Sequence, residues 1–186
     1  MLKKFKKILI LICCFFMMGS TVFAETQNSN EKSFTISGYI FTYENAPQEI
    51  KDKYEENCSD IGIEPQPNDE IFITPSELKT YSDIDMYAAK EAKFTVTYHY
   101  SYYDVSGDKN YRVNTSTIIK YGDSGNAVHL AQLLLKKVGY ALDADSQFGS
   151  TTRSKVKSFQ GSYGLTADGI VGSATWQKFA SATNLD

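Results

Sequence analysis

Ala144-Asp145-Ser146-Gln147-Phe148-Gly149-Ser150-Thr151-Thr152 returns 23 residues later as Ala167-Asp168-Gly169-Ile170-Val171-Gly172-Ser173-Ala174-Thr175. Each copy reads as a reversal carrying an Asp, then apolar residues or a single one, then a Gly and a Ser placed to cap a following helix. The register runs on into those helices, since Arg153 aligns with Trp176 and Val156 with Phe179. Val156, Phe159 and Tyr163 fall on one helical face, as do Trp176, Phe179 and Ala180 over a shorter run.

A third helix is expected ahead of both. Asp123 or Ser124 is its expected cap, Val128, Ala131, Leu134, Leu135 and Val138 form its stripe, and Gly139 is placed to end it. Leu130 and Leu133 widen the stripe, which makes this the most buried of the three helices. Two copies are too few for a solenoid, which needs about three units to bury a core. Residues 118–186 therefore read as a compact all-α module of three helices.

Three stretches in this region carry a family resemblance. Tyr121-Gly122-Asp123-Ser124-Gly125, with Val128, Ala131, Gln132, Leu135 and Gly139-Tyr140 behind it, is similar to the opening of the peptidoglycan-binding-like three-helix modules. Phe148-Gly149-Ser150, Thr152, Val156 and Phe159-Gln160, then Gly164-Leu165-Thr166-Ala167-Asp168-Gly169-Ile170-Val171-Gly172 and Thr175-Trp176, resemble the remainder. The sequence departs from that pattern at Ala131, where the family usually has Leu, and at Ser146, where it often has Gly. The resemblance implies peptidoglycan as ligand, through its stem peptide or its N-acetylated glycan. The residues named as candidate contacts are Gln147, Arg153, Tyr163, Asp168 and Trp176. Arg153 suits a stem-peptide carboxylate. Asp145 and Asp168 are also expected to brace their turns, and Trp176 to serve the core.

The chain opens as an export signal does. Lys3, Lys4, Lys6 and Lys7 precede an apolar run over 8–18, and Val22-Phe23-Ala24 offers a cleavage site, so residues 1–24 read as a signal peptide. The run is shorter than the roughly 20 residues of a spanning helix, so no stable membrane span is expected after cleavage. Neither Cys13 nor Cys14 follows the small residue that a lipid-modified cysteine requires. Of 19 basic residues four leave with the signal, so 15 remain against 22 acidic ones, net −7. Such a chain is poorly suited to nucleic acid and is repelled by anionic wall polymers. Wall attachment must then come from specific contacts.

Residues 25–32 read as a polar linker, and residues 33–117 as a small α+β domain, an antiparallel sheet with one helix. A first strand is expected over 34–41, a helix over 45–57 with Ile50, Tyr54 and Cys58 on one face, and a short strand over 70–74. Residues 76–87 are ambiguous. A long strand is expected over 94–103, then a turn at Ser106-Gly107-Asp108-Lys109-Asn110 and a returning strand over 111–117. No family is recognised in this domain. The whole chain is thus α+β, with an all-α C-terminal module.

Candidate chemistries in the N-terminal domain are weak as sequence signals. Its tyrosine row can stack on sugars, but reads more simply as a sheet face packed on the helix at 45–57. Cys58 and His99 lack the Gly- and Ser-rich setting of wall cysteine peptidases, and Cys58 reads as structural. Glu55, Glu56, Asp60, Glu64, Asp69 and Glu70 offer carboxylate pairs of the kind glycosidases use, but an acid-rich chain makes such pairs by chance. No cysteine–histidine cluster suggests a metal, and no motif calls for a cofactor. The sequence therefore points to a secreted wall-associated protein that binds peptidoglycan without cleaving it. A wall hydrolase with an N-terminal catalytic domain, and an envelope assembly factor, are the alternatives. Oligomeric state is left open.

Overall fold

A computed structural model describes residues 32–81 and 88–186. The expected signal peptide, all but the last residue of the expected linker, and part of the ambiguous 76–87 stretch lie outside the described residues.

The N-terminal part is a curled antiparallel sheet of five strands, β1 (Ser33–Thr42), β2 (Glu70–Ile73), β3 (Lys90–Tyr98), β4 (Tyr102–Gly107) and β5 (Tyr111–Asn114). Their order in the sheet is β2-β1-β3-β4-β5. Helix α1 (Gln48–Asp60) and the single turn α2 (Pro75–Leu78) lie between strands. The C-terminal part supplies α3 (Asn126–Lys137), α4 (Ser150–Ser162) and α5 (Ser173–Ala182). The α+β class expected from periodicity is the class observed.

The long strand expected over 94–103 is instead a hairpin. Tyr100 takes φ 64° and leaves 82% of its surface exposed, while the His99 N–H donates to the Tyr102 carbonyl at 2.9 Å. An unbroken run of β-formers conceals this reversal, because a non-glycine residue at positive φ leaves no sequence mark. Helix α1 also starts later than expected, with Pro47 just ahead of it.

Alternation across the strands sorts the core into two clusters. On one side, Phe41, Ile71 and Ile73 pack against Ile50, Tyr54 and Cys58 of α1, the stripe that the spacing predicts. On the other, Phe34, Ile40, Phe72, Phe94, Val96, Tyr103 and Val105 share one cluster with Val128, Leu134, Phe159, Trp176 and Phe179. The Phe94 and Val96 face thus packs on the C-terminal helices and not, as expected, on α1. Each such large apolar side chain contributes roughly 1.5–3 kcal/mol on burial.

Polar bonds tie the two parts further. The Trp176 indole donates to the Thr117 carbonyl at 2.8 Å, and Lys136, buried on α3, pairs with Glu77 of α2. The free edge of β2 is closed by Ala144, whose N–H and C=O exchange bonds with Phe72 at 3.1 and 3.0 Å. That pairing removes an exposed strand edge.

The helix ends differ from expectation in one respect. Gly125, Gly149 and Gly172 precede the three helices without a side-chain cap, and Ser150 and Ser173 are the first helical residues. Asp123 instead accepts from the Lys120 N–H at 2.8 Å, and Ser124 bridges to Gln147. Gly139 takes φ 99° just beyond α3, ending it as expected.

Candidate functional site

The two copies of the repeat fold into two matching corners. In the first, the Gln132 amide nitrogen donates to Asp145 Oδ1 at 2.7 Å, to the Gln147 carbonyl at 3.1 Å and to Thr152 Oγ1 at 3.1 Å. Its oxygen accepts the Ser146 N–H at 2.9 Å, while Asp145 Oδ1 takes the Gln147 N–H at 2.9 Å. In the second, Gln160 donates to Asp168 Oδ1 at 2.9 Å, to the Ile170 carbonyl at 2.9 Å and to Thr175 Oγ1 at 3.3 Å. Its oxygen accepts the Gly169 N–H at 2.9 Å, and Asp168 Oδ1 takes the Ile170 N–H at 2.8 Å. The geometry is the same bond for bond. Gln132 and Gln160 belong to the family pattern, but spacing alone does not pair them as braces of the two corners, because they stand 28 residues apart, outside the 23-residue register.

Each corner frames a recess against the first turn of the helix behind it. Leu142, Asp143, Asp145, Ser150, Thr151 and Thr152 line the first, and their counterparts Leu165, Thr166, Asp168, Ser173, Ala174 and Thr175 line the second. The first, of ≈ 160 Å³, is roofed by Lys53, Glu56 and Asn57 of α1. The second, of ≈ 340 Å³, has no residue of the N-terminal part in its lining.

Helix α1 fills the first corner with two polar groups. The Asn57 amide donates to Asp145 Oδ2 at 2.6 Å, and Asp60 Oδ2 accepts the Ser150 N–H at 2.6 Å. Gly149 makes that approach possible, because a Cβ there would lie 1.7 Å from Asn57 Oδ1. Burial raises the Asp145 carboxyl to about 6, against the pull of the Gln147 N–H and the Gln132 amide. Asp168 is exposed, and the Ile170 N–H holds its carboxyl below the usual carboxylate range. One aspartate is sealed inside the molecule and its twin faces solvent.

The structure scatters the five candidate contacts. Gln147 is half-buried, with its amide nitrogen 3.3 Å from the Tyr54 hydroxyl and its oxygen buried without a partner. Trp176 has no exposed surface, so it offers no ring face to a ligand; as an aromatic in register with Phe179 it belongs to the core. Arg153 is exposed, with its guanidinium 5.8 Å from the Tyr121 ring and its side chain against Gly169. Tyr163 is 39% exposed and leans on Phe159, ring centroids 4.6 Å apart. Asp168, Arg153 and Tyr163 are the three that are fully exposed, with Gln147 half-buried and Trp176 buried.

The other candidate chemistries have structural occupations. Cys58 is fully buried against α1's own stripe, and burial pushes its thiol up, away from a nucleophilic thiolate. His99 sits in the β3–β4 turn, stacked on Tyr102 and 3.4 Å from Asp104. Among the acids, Asp69 accepts from the Tyr54 hydroxyl at 2.9 Å, Glu70 pairs with Lys109 at 2.9 Å, and Glu55 accepts from Tyr43. Among the described residues no group of three or more His, Cys, Asp and Glu is placed to hold a metal ion.

Comparison with known proteins bears on both parts. Two family models, each described as a "putative peptidoglycan-binding domain", match residues 32–99 and 124–179. A crystal structure of a peptidoglycan-binding protein from Clostridioides difficile, in complex with glutamine hydroxamate, is similar with a TM-score of 0.76. It is 43% identical, over 80% of this chain and 94% of that one. The chain belongs to this family of peptidoglycan-binding proteins. Its N-terminal part, in which the sequence reading recognised no family, is thereby also matched to a peptidoglycan-binding domain. The small sheet gives no local motif for such a match, only alternation spread over distant strands. A partial relative is the zinc D-Ala-D-Ala carboxypeptidase of Streptomyces albus G, 44% identical over 68 residues, 34% of this chain. The chain spans only 26% of that protein's length. A Burkholderia AP3 phage endolysin is 40% identical over 35% of this chain and 25% of that one, with a TM-score of 0.35.

Proposed function

We propose that this protein is exported and held at the cell wall, binding peptidoglycan without cleaving it. The C-terminal module at 118–186 makes the contact, through the surface that carries Asp168, Arg153 and Tyr163. The observation that carries this reading is the similarity to a peptidoglycan-binding protein over nearly its whole length. The glutamine hydroxamate bound to that relative supports an amino-acid-derived ligand, hence the stem peptide before the glycan. Export rests on the basic and apolar leader, and no helix among the described residues is long and apolar enough to cross a membrane. The match of residues 32–99 supports a second wall-facing region in the N-terminal part.

The carboxypeptidase relative favours one other reading, a wall enzyme. Dye-labelled sacculi incubated with residues 25–186 separate the two. Binding without release of soluble dye is expected. Release above that of a Cys58→Ala, His99→Ala double variant would assign catalysis to the N-terminal part, and release equal to that variant's would place it elsewhere in the chain.

A further inference from the structure

The two corners are one device built twice, and the chain itself shows what the first copy holds. There, a primary carboxamide and a carboxylate one helical turn apart on α1, Asn57 and Asp60, occupy Asp145 Oδ2 and the Ser150 N–H, each at 2.6 Å. Both contacts are favourable for general reasons. An amide N–H given to a carboxylate is a charge-assisted bond. A carboxylate at a helix N-terminus meets free N–H groups and the positive end of the dipole.

In the second copy no described residue takes the places of Asn57 and Asp60 on the same two groups, Asp168 and the start of the helix behind it. Asp168 uses Oδ1 for Gln160 and Ile170, as Asp145 uses Oδ1 for Gln132 and Gln147, and the carboxylate is exposed. The residue that begins α5, Ser173, is exposed and receives no side-chain cap from Gly172. A Cβ on Gly172 would meet no atom within 4 Å, where one on Gly149 would strike Asn57. The recess between these groups measures ≈ 340 Å³.

We propose that the Asp168 recess binds a peptide bearing a primary carboxamide with a free carboxylate close by, as the Asp145 corner binds Asn57 and Asp60. The amide N–H donates to the outward oxygen of Asp168, and the carboxylate accepts from the Ser173 N–H. This deepens the wall-binding reading, on which it rests, by naming amidated stem peptide as the ligand chemistry. An unamidated peptide sets a second carboxylate against Asp168 and is rejected by like-charge repulsion.

The test is an amide-resolved NMR titration of residues 25–186 with N-acetylglutamine, which carries one primary carboxamide and one carboxylate, and with N-acetylglutamate, which carries a carboxylate in place of that carboxamide. N-acetylglutamine is expected to shift the Ser173, Ala174 and Ile170 amides, to leave Ser150 and Thr151 in place, and to bind at least tenfold tighter than N-acetylglutamate. Asp168→Asn keeps an oxygen for Gln160 and Ile170 but turns the outward atom into a donor, and should lose at least tenfold. Ser173→Pro deletes the N–H at a first helical position, where proline is tolerated, and should lose a similar factor. Shifts confined to other residues, equal binding of the two compounds, or unchanged titration of both variants overturns the recess proposal. Sedimentation of the wild-type chain with purified sacculi, run alongside, keeps the two readings apart. Sedimentation with a failed titration overturns the recess alone, whereas a chain that stays in solution overturns the wall-binding reading.

Discussion

The Tyr103 hydroxyl, fully buried on β4, donates to the Trp176 backbone carbonyl of α5 at 2.6 Å, and the two rings lie 5.9 Å apart. This contact spans 73 residues of chain and joins the sheet to the helices within one cluster. Tyr103→Phe keeps the ring and removes the bond, and should cost about 1 kcal/mol. Trp176→Ala empties the centre of the same cluster and should cost about 3–5 kcal/mol. Urea denaturation checks both. A Trp176→Ala loss below that of Tyr103→Phe would contradict this placement.

Gly149 and Gly172 hold the same place in the repeat but face different surroundings. Gly149→Ala drives a Cβ into Asn57 and should cost about 2 kcal/mol or more as α1 is pushed away. Gly172→Ala meets open space at a φ of −112° that alanine adopts, and should change stability by less than about 0.5 kcal/mol. Thermal melts of the pair decide it, and equal losses would mean that α1 does not seat on the first corner.

Ser146 and Gly169 form a second unequal pair. Ser146 sits at φ 65°, where a side chain is strained, and Gly169 at φ 77°, where it is not. Ser146→Gly should stabilise by about 0.5–1 kcal/mol, the relief of strain being partly offset by glycine's entropy in the unfolded chain. Gly169→Ser should destabilise by more than about 1 kcal/mol, since its Cβ would also lie 3.0 Å from the Arg153 side chain. Melting temperatures that move the other way would contradict the assignment of both turns.

Two buried groups give the stability a predictable pH dependence. Burial lowers His129 to about 3, with Lys109 and Lys136 acting in the same sense, while the Tyr111 hydroxyl meets its Nδ1 at 2.6 Å. Its folded value is depressed, so its contribution is full above the unfolded pKa of about 6.5 and is lost as pH falls toward 3, at about 1.4 kcal/mol per unit. Asp145 is raised to about 6, so its contribution is full below the unfolded value of about 3.9 and is lost as pH rises to 6. The two slopes oppose each other between pH 4 and 6. His129→Gln should therefore make stability fall with rising pH across that window relative to wild type, and Asp145→Asn should make it rise. Urea midpoints from pH 4 to 6 check the sign of each.

Much of this was legible in the sequence where the signal is local. The stripe Ile50, Tyr54 and Cys58, the α3 core and the brace at each aspartate follow from spacing within one helix or turn. What spacing does not carry is contact across the chain. Nothing near Asn57 announces that it lies on Asp145, 88 residues away, and nothing near Phe94 says which helices cover it. Trp176 illustrates the limit, because an aromatic in a repeat looks the same whether it faces a ligand or, as here, the sheet.

The central claim, specific attachment to peptidoglycan by a chain whose net charge would be −7 once the proposed signal is removed, is tested most directly by sedimentation with purified, polymer-free sacculi as salt is raised. Specific contacts predict saturable binding that persists from low salt to about 0.5 M, since screening weakens only attraction between exposed charges. A chain that never sediments, or that sediments at low salt and is released well below 0.5 M, would contradict the account.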